Sequence, residues 1–306
     1  MINREVNDMT SFSVQNQARL GRRIRRARAF WAALFALAAL AALTAPALGE
    51  TLPPSPLCFD GPADYTYGDD RLWINIQKRS AEKPELITYF LCDIQVTDPD
   101  AFKTALSGDV PMGPREATAD IAERYGAKLA VNGDAYGFHN HAIIVRNGEI
   151  LRAKRTNAYH LLMLDSQGDL SVVQGNGAED GDTLAAKLLA RGAAQVWAFG
   201  PVLVQDGAAA SLEGFKLLKL HGREPRTAIG QIGPLHYVAV VADGRRKNHS
   251  DGMTLPELQQ VFLDVGAQIA FNLDGGGSST LYFDGEVLNR PAGGVERSVS
   301  DILYFN

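Results

Sequence analysis

Ile143-Ile144-Val145-Arg146-Asn147-Gly148-Glu149-Ile150-Leu151 sets two short apolar runs on either side of an Asn-Gly pair. Asn-Gly tolerates positive φ at both positions, as a type I′ turn requires, so the stretch reads as a β-hairpin. The device recurs. Residues 161–173 turn across Ser166-Gln167-Gly168-Asp169, residues 202–210 across Gln205-Asp206-Gly207, and residues 280–289 across Asp284-Gly285. Residues 228–241 turn at Gly233-Pro234, and further strands are predicted over 72–77, 86–96, 129–132 and 269–273. Helices are fewer. Thr254-Leu255-Pro256-Glu257 is a capping box, followed by Leu255, Leu258, Val261, Phe262 and Val265 on one helical face and a stop at Gly266. Asp98-Pro99 predicts a short helix through Ala105, and residues 116–125 and 183–190 predict two more, each followed by glycine. Many hairpins with a few flanking helices predict an α+β fold with a mixed, largely antiparallel sheet, not a doubly wound parallel one.

The 306 residues are 46% hydrophobic and 21% charged, an ordinary globular composition. No composition shift divides the chain after Pro53, so residues 50–306 read as one catalytic domain. Residues 1–49 differ. Arg22, Arg23, Arg25, Arg26 and Arg28 precede an uncharged Ala- and Leu-rich run over 29–45 and the small residues Ala45-Pro46-Ala47. That pattern is a secretory signal, cleaved after Ala47 or Gly49, or else retained as a membrane anchor. Either way Glu50 onward is expected to be exported, to the periplasm or beyond, with membrane contact limited to such an anchor. The whole chain carries a net charge of −5, and losing the arginine-rich leader makes the remainder more acidic. A body of that sign lacks the basic footprint of a nucleic-acid binder. Both cysteines, Cys58 and Cys92, lie in the exported part, where one disulfide tying the N-terminal arm to a strand is expected.

Chemistry concentrates in Ile269-Ala270-Phe271-Asn272-Leu273-Asp274-Gly275-Gly276-Gly277-Ser278-Ser279-Thr280. On a strand, Asn272 and Asp274 point to the same face. Gly275, Gly276 and Gly277 then let the backbone turn with exposed N–H groups, a candidate anion nest, and Ser278 adds a hydroxyl. The spacing and lysine of a P-loop are absent. A glycine-rich turn with a capping aspartate is the plainer alternative. His139 and His141 share a face if extended, but no third ligand lies nearby in sequence, so no metal site and no cofactor are assigned.

The run 272–279, followed by Asp284-Gly285-Glu286-Val287-Leu288-Asn289-Arg290-Pro291 and Glu296-Arg297-Ser298-Val299, resembles the end of the phosphodiester glycosidase family. Arg226-Thr227-Ala228-Ile229-Gly230, Asp243-Gly244-Arg245 and Ser250-Asp251-Gly252-Met253-Thr254-Leu255 occur in the family's order and spacing. Asn132-Gly133-Asp134-Ala135-Tyr136 and Phe199-Gly200-Pro201 resemble its earlier motifs, so the likeness runs from about Lys128 to the C-terminus. It implies hydrolysis of a sugar-1-phosphodiester at the anomeric carbon, on a sugar-phosphate glycan or glycolipid. Phosphate is a good leaving group, so such a site needs fixed cations and N–H donors more than a strong general acid. Arg226, Arg245, Arg290 and Arg297 are the candidate phosphate ligands. Asp274 and Asp243 are the candidate catalytic carboxylates. Asn132, Asp134, Asn272 and Asn289 are candidate contacts to the substrate. A binding module that has lost catalysis, and a glycoside hydrolase acting on unphosphorylated glycans, remain alternatives.

Overall fold

The computed structural model describes residues 55–82, 84–154, 158–173, 179–215, 218 and 221–306; the predicted leader, residues 1–49, lies outside them. Three strands open the chain: β1 (Tyr65–Gly68), β2 (Leu72–Ala81) and β3 (Ile87–Val96). Three units of one plan follow. The first is β4 (Phe102–Leu106), helix α1 (Thr118–Arg124), β5 (Leu129–Asn132) and the hairpin β6 (Ala142–Arg146)–β7 (Glu149–Lys154). The second is β8 (His160–Asp165), β9 (Leu170–Val173), α2 (Gly181–Ala190), β10 (Ala193–Phe199) and the hairpin β11 (Val202–Gln205)–β12 (Ala208–Ala209). The third is β13 (Arg226–Gly233), β14 (His236–Ala242), α3 (Leu255–Asp264), β15 (Ile269–Asn272) and the hairpin β16 (Leu281–Phe283)–β17 (Glu286–Val287). The last strand, β18 (Asp301–Phe305), pairs with β4 and β5 and fills in the first unit the place of β8 and β13 in the others.

The units exchange hairpins. Strand β5 takes β16–β17 of the third unit, β10 takes β6–β7 of the first, and β15 takes β11–β12 of the second. The resulting orders are β17-β16-β5-β18-β4, β7-β6-β10-β8-β9 and β12-β11-β15-β13-β14, the last extended by β3-β2-β1. Among the described residues every strand pairing is antiparallel, as the run of hairpins predicts. The Asn147-Gly148 turn has positive φ at both residues, 51° and 76°, the signature of a type I′ turn.

The three helices stop in the same way. Gly126, Gly192 and Gly266 each adopt left-handed φ, and each amide returns to a carbonyl of the last turn. Ala127 and Ala267 complete a Schellman motif by donating to Ala122 and Phe262. Thr254 and Glu257 form both halves of the expected capping box. Packing follows the same threefold plan. Leu129, Val131, Leu162, Trp197, Ile229, Phe271, Leu303 and Phe305 from all three units share a central core. Each helix then closes a satellite core on the outer face of its own sheet: Ile121 and Ala122 of α1, Ala185 and Leu188 of α2, and Leu258 and Phe262 of α3.

Two expectations are corrected. The helix predicted from Asp98 to Ala105 is only a 3-10 turn over Pro99–Ala101, capped by Asp98, after which the chain enters β4. There Phe102 stacks on Phe305 at 4.5 Å, and burial in the central core outweighs the local helix start. The expected Cys58–Cys92 disulfide is not formed, and both thiols are free. Alternation along β3 is the reason. Cys92 points into the central core, whereas Cys58 packs on the opposite face, its amide donating to Asp93 at 2.7 Å. Burial raises both thiols far above the usual range. Among the described residues, no helix is long and apolar enough to cross a membrane.

Candidate active site

The ends of β5, β10 and β15 are stitched together by buried side chains. Asn132 donates to the carbonyl of Asp274 at 2.7 Å, and Asn272 donates to that of Gly200 at 2.8 Å. The amide of Ala198 closes the circuit by donating to Asp134 at 2.8 Å. Asn132 also accepts from Thr227 and the amide of Thr280. Asn289 accepts from the amide of Leu281 and donates to the carbonyl of Ser279 and to Asp243. All three asparagines are buried, and each is hydrogen-bonded to the loops around the site.

What they hold is the loop after β15. The amide of Gly275 is taken by Asp274 Oδ1 and that of Gly276 by the carbonyl of Pro225, both at 2.9 Å. The amides of Ser278 and Ser279 bond within the turn. The open nest expected from three glycines is thus largely filled by the protein itself. The glycines serve close approach instead. A Cβ on Gly275 would lie 2.8 Å from the Pro225 carbonyl, and one on Gly276 would lie 3.3 Å from the Arg245 guanidinium. A Cβ on Gly277 would press on Arg297.

Cations converge where the nest was expected. Arg297 donates to Asp274 Oδ2 at 2.7 Å and through Nε to Ser278 Oγ at 2.8 Å. Its side chain remains 44% exposed, against 13% for Asp274. Phe138 lies under Arg297 at 5.3 Å and under Arg115 at 4.1 Å. Arg245, exposed above Gly276, pairs with Glu224 at 2.5 Å. Burial raises the Asp274 carboxyl above the usual carboxylate range; Arg297, Ser278 and the Gly275 amide pull the other way without cancelling it. A largely buried carboxylate paired with a partly exposed guanidinium is an arrangement that an anion can engage.

The remaining expected residues are distributed around this centre. Asp243 is buried with both oxygens occupied. Oδ1 accepts from the amide of Arg290 at 2.8 Å and from Asn289 at 3.1 Å, while Oδ2 holds His249 Nε2 at 2.7 Å. Asn289 links it to the Ser279 carbonyl at the end of the Asp274 loop. Arg290 is exposed at the rim, with its backbone anchored. Arg226 is buried, donating to the carbonyls of Met253 and Gly222, and burial lowers its guanidinium to about 10. Asp134 lies in a buried cluster: Arg146 reaches Asp134 at 3.2 Å and Asp301 at 2.6 Å. Sequence reasoning named Asp134 but missed its partners Arg146 and Asp301, along with Glu224 and Arg115. Of these, Asp301, a lone acid at the head of the apolar run Ile302-Leu303-Tyr304-Phe305, left a legible trace.

A carboxylate set among arginines at a glycine turn, on an antiparallel α+β scaffold, is an arrangement suited to an anion. The match to the phosphodiester glycosidases spans residues 125–306, and the chain belongs to that family. The SPbeta prophage-derived uncharacterized protein YomE of Bacillus subtilis (strain 168) is 31% identical over 198 residues, 63% of this chain and 30% of that protein. The chain thus matches under a third of that relative's length. Among solved structures, the catalytic domain of zebrafish N-acetylglucosamine-1-phosphodiester alpha-N-acetylglucosaminidase, auto-inhibited by its pro-peptide, is similar with a TM-score of 0.60. Identity there is 19%, over 81% of this chain and 87% of that one. A hypothetical protein from Synechocystis is similar at 0.54, with 15% identity over 80% of this chain and 64% of that one. Both likenesses are of fold.

Proposed function

We propose that the chain is an exported hydrolase that cleaves a sugar-1-phosphodiester at the anomeric carbon, releasing free sugar and a phosphate monoester. The observation that carries this reading is the Arg297 guanidinium shared between Asp274 and Ser278. In the free protein Arg297 neutralises Asp274. A phosphodiester entering the site competes for the same cation through its own oxygens, with charge-assisted bonds to a planar fork. Arg245, and Arg290 at the rim, supply further positive charge. Drawing Arg297 onto the phosphate uncovers Asp274 Oδ2 beside the sugar. The anomeric C–O bond breaks with its electron pair leaving on the phosphate, whose growing charge the arginines stabilise. Water forms the new bond to the anomeric carbon and gives its proton to Asp274.

Asp243 serves this site as a positioning residue that holds His249 and the Asn289-Arg290 segment. Asn132, Asn272 and Asn289 have the same supporting role, and Asp134 and Arg226 brace the loops from below. Export is supported by the arginine-flanked apolar run ending near Gly49. Incubating the purified protein with a panel of sugar-1-phosphodiesters tests the reading. Free reducing sugar is the expected product, and a folded protein inert across a broad panel counts against it.

A further inference from the structure

Phe138, in the loop between β5 and β6, is 43% exposed, and its ring lies against both Arg297 and Arg115. Past the same loop lies a hollow of about 510 Å³ whose lining includes Met112, Asn140, Arg152, Lys154 and Asp182. That volume falls within the usual range of ligand sites. Arg152 is fixed at its edge, donating to the carbonyls of Tyr136 at 3.0 Å and His141 at 2.9 Å, and reaching Met112 Sδ at 3.5 Å. Met112 is itself 59% exposed. From Asp274 a run of contacts leads to Arg297, Phe138 and Arg115, and the carbonyls of Tyr136 and His141, on either side of Phe138 in the sequence, hold Arg152, which in turn meets Met112. Guanidinium groups alternate with exposed apolar side chains along both stretches, and Lys154 and Asp182 lie in the lining of the hollow. Alternation of this kind suits a chain in which sugar rings alternate with phosphates: the rings lie on the apolar surface and the phosphates meet the cations.

We propose that the substrate is a polymer of sugars joined through phosphodiesters, and that the units next to the cleaved bond occupy this track and hollow. The proposal rests on the hydrolase reading above, and its test separates the two. The purified protein is given a substrate with one sugar-1-phosphodiester linkage, oligomers of two to four such repeats, and a single-linkage glycolipid with an alkyl aglycone. The expected result is a kcat/KM that rises by about tenfold or more from the single linkage to the longer oligomers. In the double variant Met112→Ser, Lys154→Glu, the oligomer-to-single ratio falls towards one. A kcat/KM independent of length, a length effect that survives the double variant, or a preference for the alkyl glycolipid overturns the proposal. Absence of turnover on every substrate is a failure of the hydrolase reading. In that case calorimetric Kd values of the same oligomers on the Asp274→Asn protein decide the polymer question, and equal affinity for one and four repeats overturns it.

Discussion

Asp274 and Arg297 are paired at 2.7 Å, and on the proposed mechanism each blocks the other until an anion arrives. Arg297 has three protein acceptors, Asp274, Ser278 and the Gly275 carbonyl, and Asp274 spends its second oxygen on the neighbouring Gly275 amide. Replacing Asp274 with Asn keeps the shape and the Gly275 bond but removes the proton acceptor. The expected loss in kcat is about 10²–10⁴-fold, with a circular dichroism spectrum like that of the parent. Arg297→Ala is expected to lower kcat/KM on a phosphodiester by about 10²–10³-fold and to affect a neutral glycoside far less. It also has a pH signature. Burial already lifts the Asp274 carboxyl, and Arg297 is among the groups that restrain it. Removing the cation lifts the carboxyl further, so the carboxylate forms only at higher pH. The acidic limb of the kcat/KM profile therefore moves upward in Arg297→Ala; a limb that stays in place or moves down contradicts this account of Asp274.

At the scale of elements, the hairpins and the capped helix were legible because each depends on local chemistry. Asn147-Gly148 and Thr254-x-x-Glu257 dictate their backbones whatever surrounds them. The helix expected after Asp98 failed because Phe102 belongs to the central core, a contact with Phe305 across the whole chain that no local pattern announces. The site was legible in the same proportion. Asp274, the glycines, Ser278, Arg245 and Arg297 come together as one loop and its cover. The roles of the asparagines and Asp243 were not legible, because polar residues at strand ends are required equally by a substrate and by a scaffold. Their partners, such as the Asp274 carbonyl for Asn132 and the Gly200 carbonyl for Asn272, lie far away in the chain, where sequence does not display them. Thr254→Ala removes one half of the capping box of α3. It is expected to cost about 1 kcal/mol in denaturant unfolding with turnover preserved; loss of turnover at full stability would show that this helix end takes part in the site.

At the largest scale, the described residues from β4 onward form three exchanged units around one core, and the C-terminal strand completes the first of them. Asp301, which heads β18, shares Arg146 with Asp134, so two buried carboxylates face one guanidinium. Burial and the Asp134 charge push the Asp301 carboxyl up to about 8 against the pull of Arg146. An unfolded aspartate loses its proton near ~3.9. Between those values the folded chain holds more protons than the unfolded one, so stability falls as pH rises through that window. Asp301→Asn mimics the protonated acid and is expected to flatten the decline of Tm from pH 5 to 9. A slope unchanged by the substitution would assign the decline to other groups. The central claim is that this scaffold presents Asp274 and its arginines to a glycosyl phosphate. Its most direct measurement is release of reducing sugar by the purified protein from a sugar-1-phosphodiester and from the matching neutral glycoside, with Arg297→Ala alongside. The account predicts free sugar and a phosphate monoester from the phosphodiester, little from the neutral glycoside, and a preference that collapses in Arg297→Ala. Folded protein that leaves every phosphodiester intact, or that cleaves the neutral glycoside equally well, contradicts it.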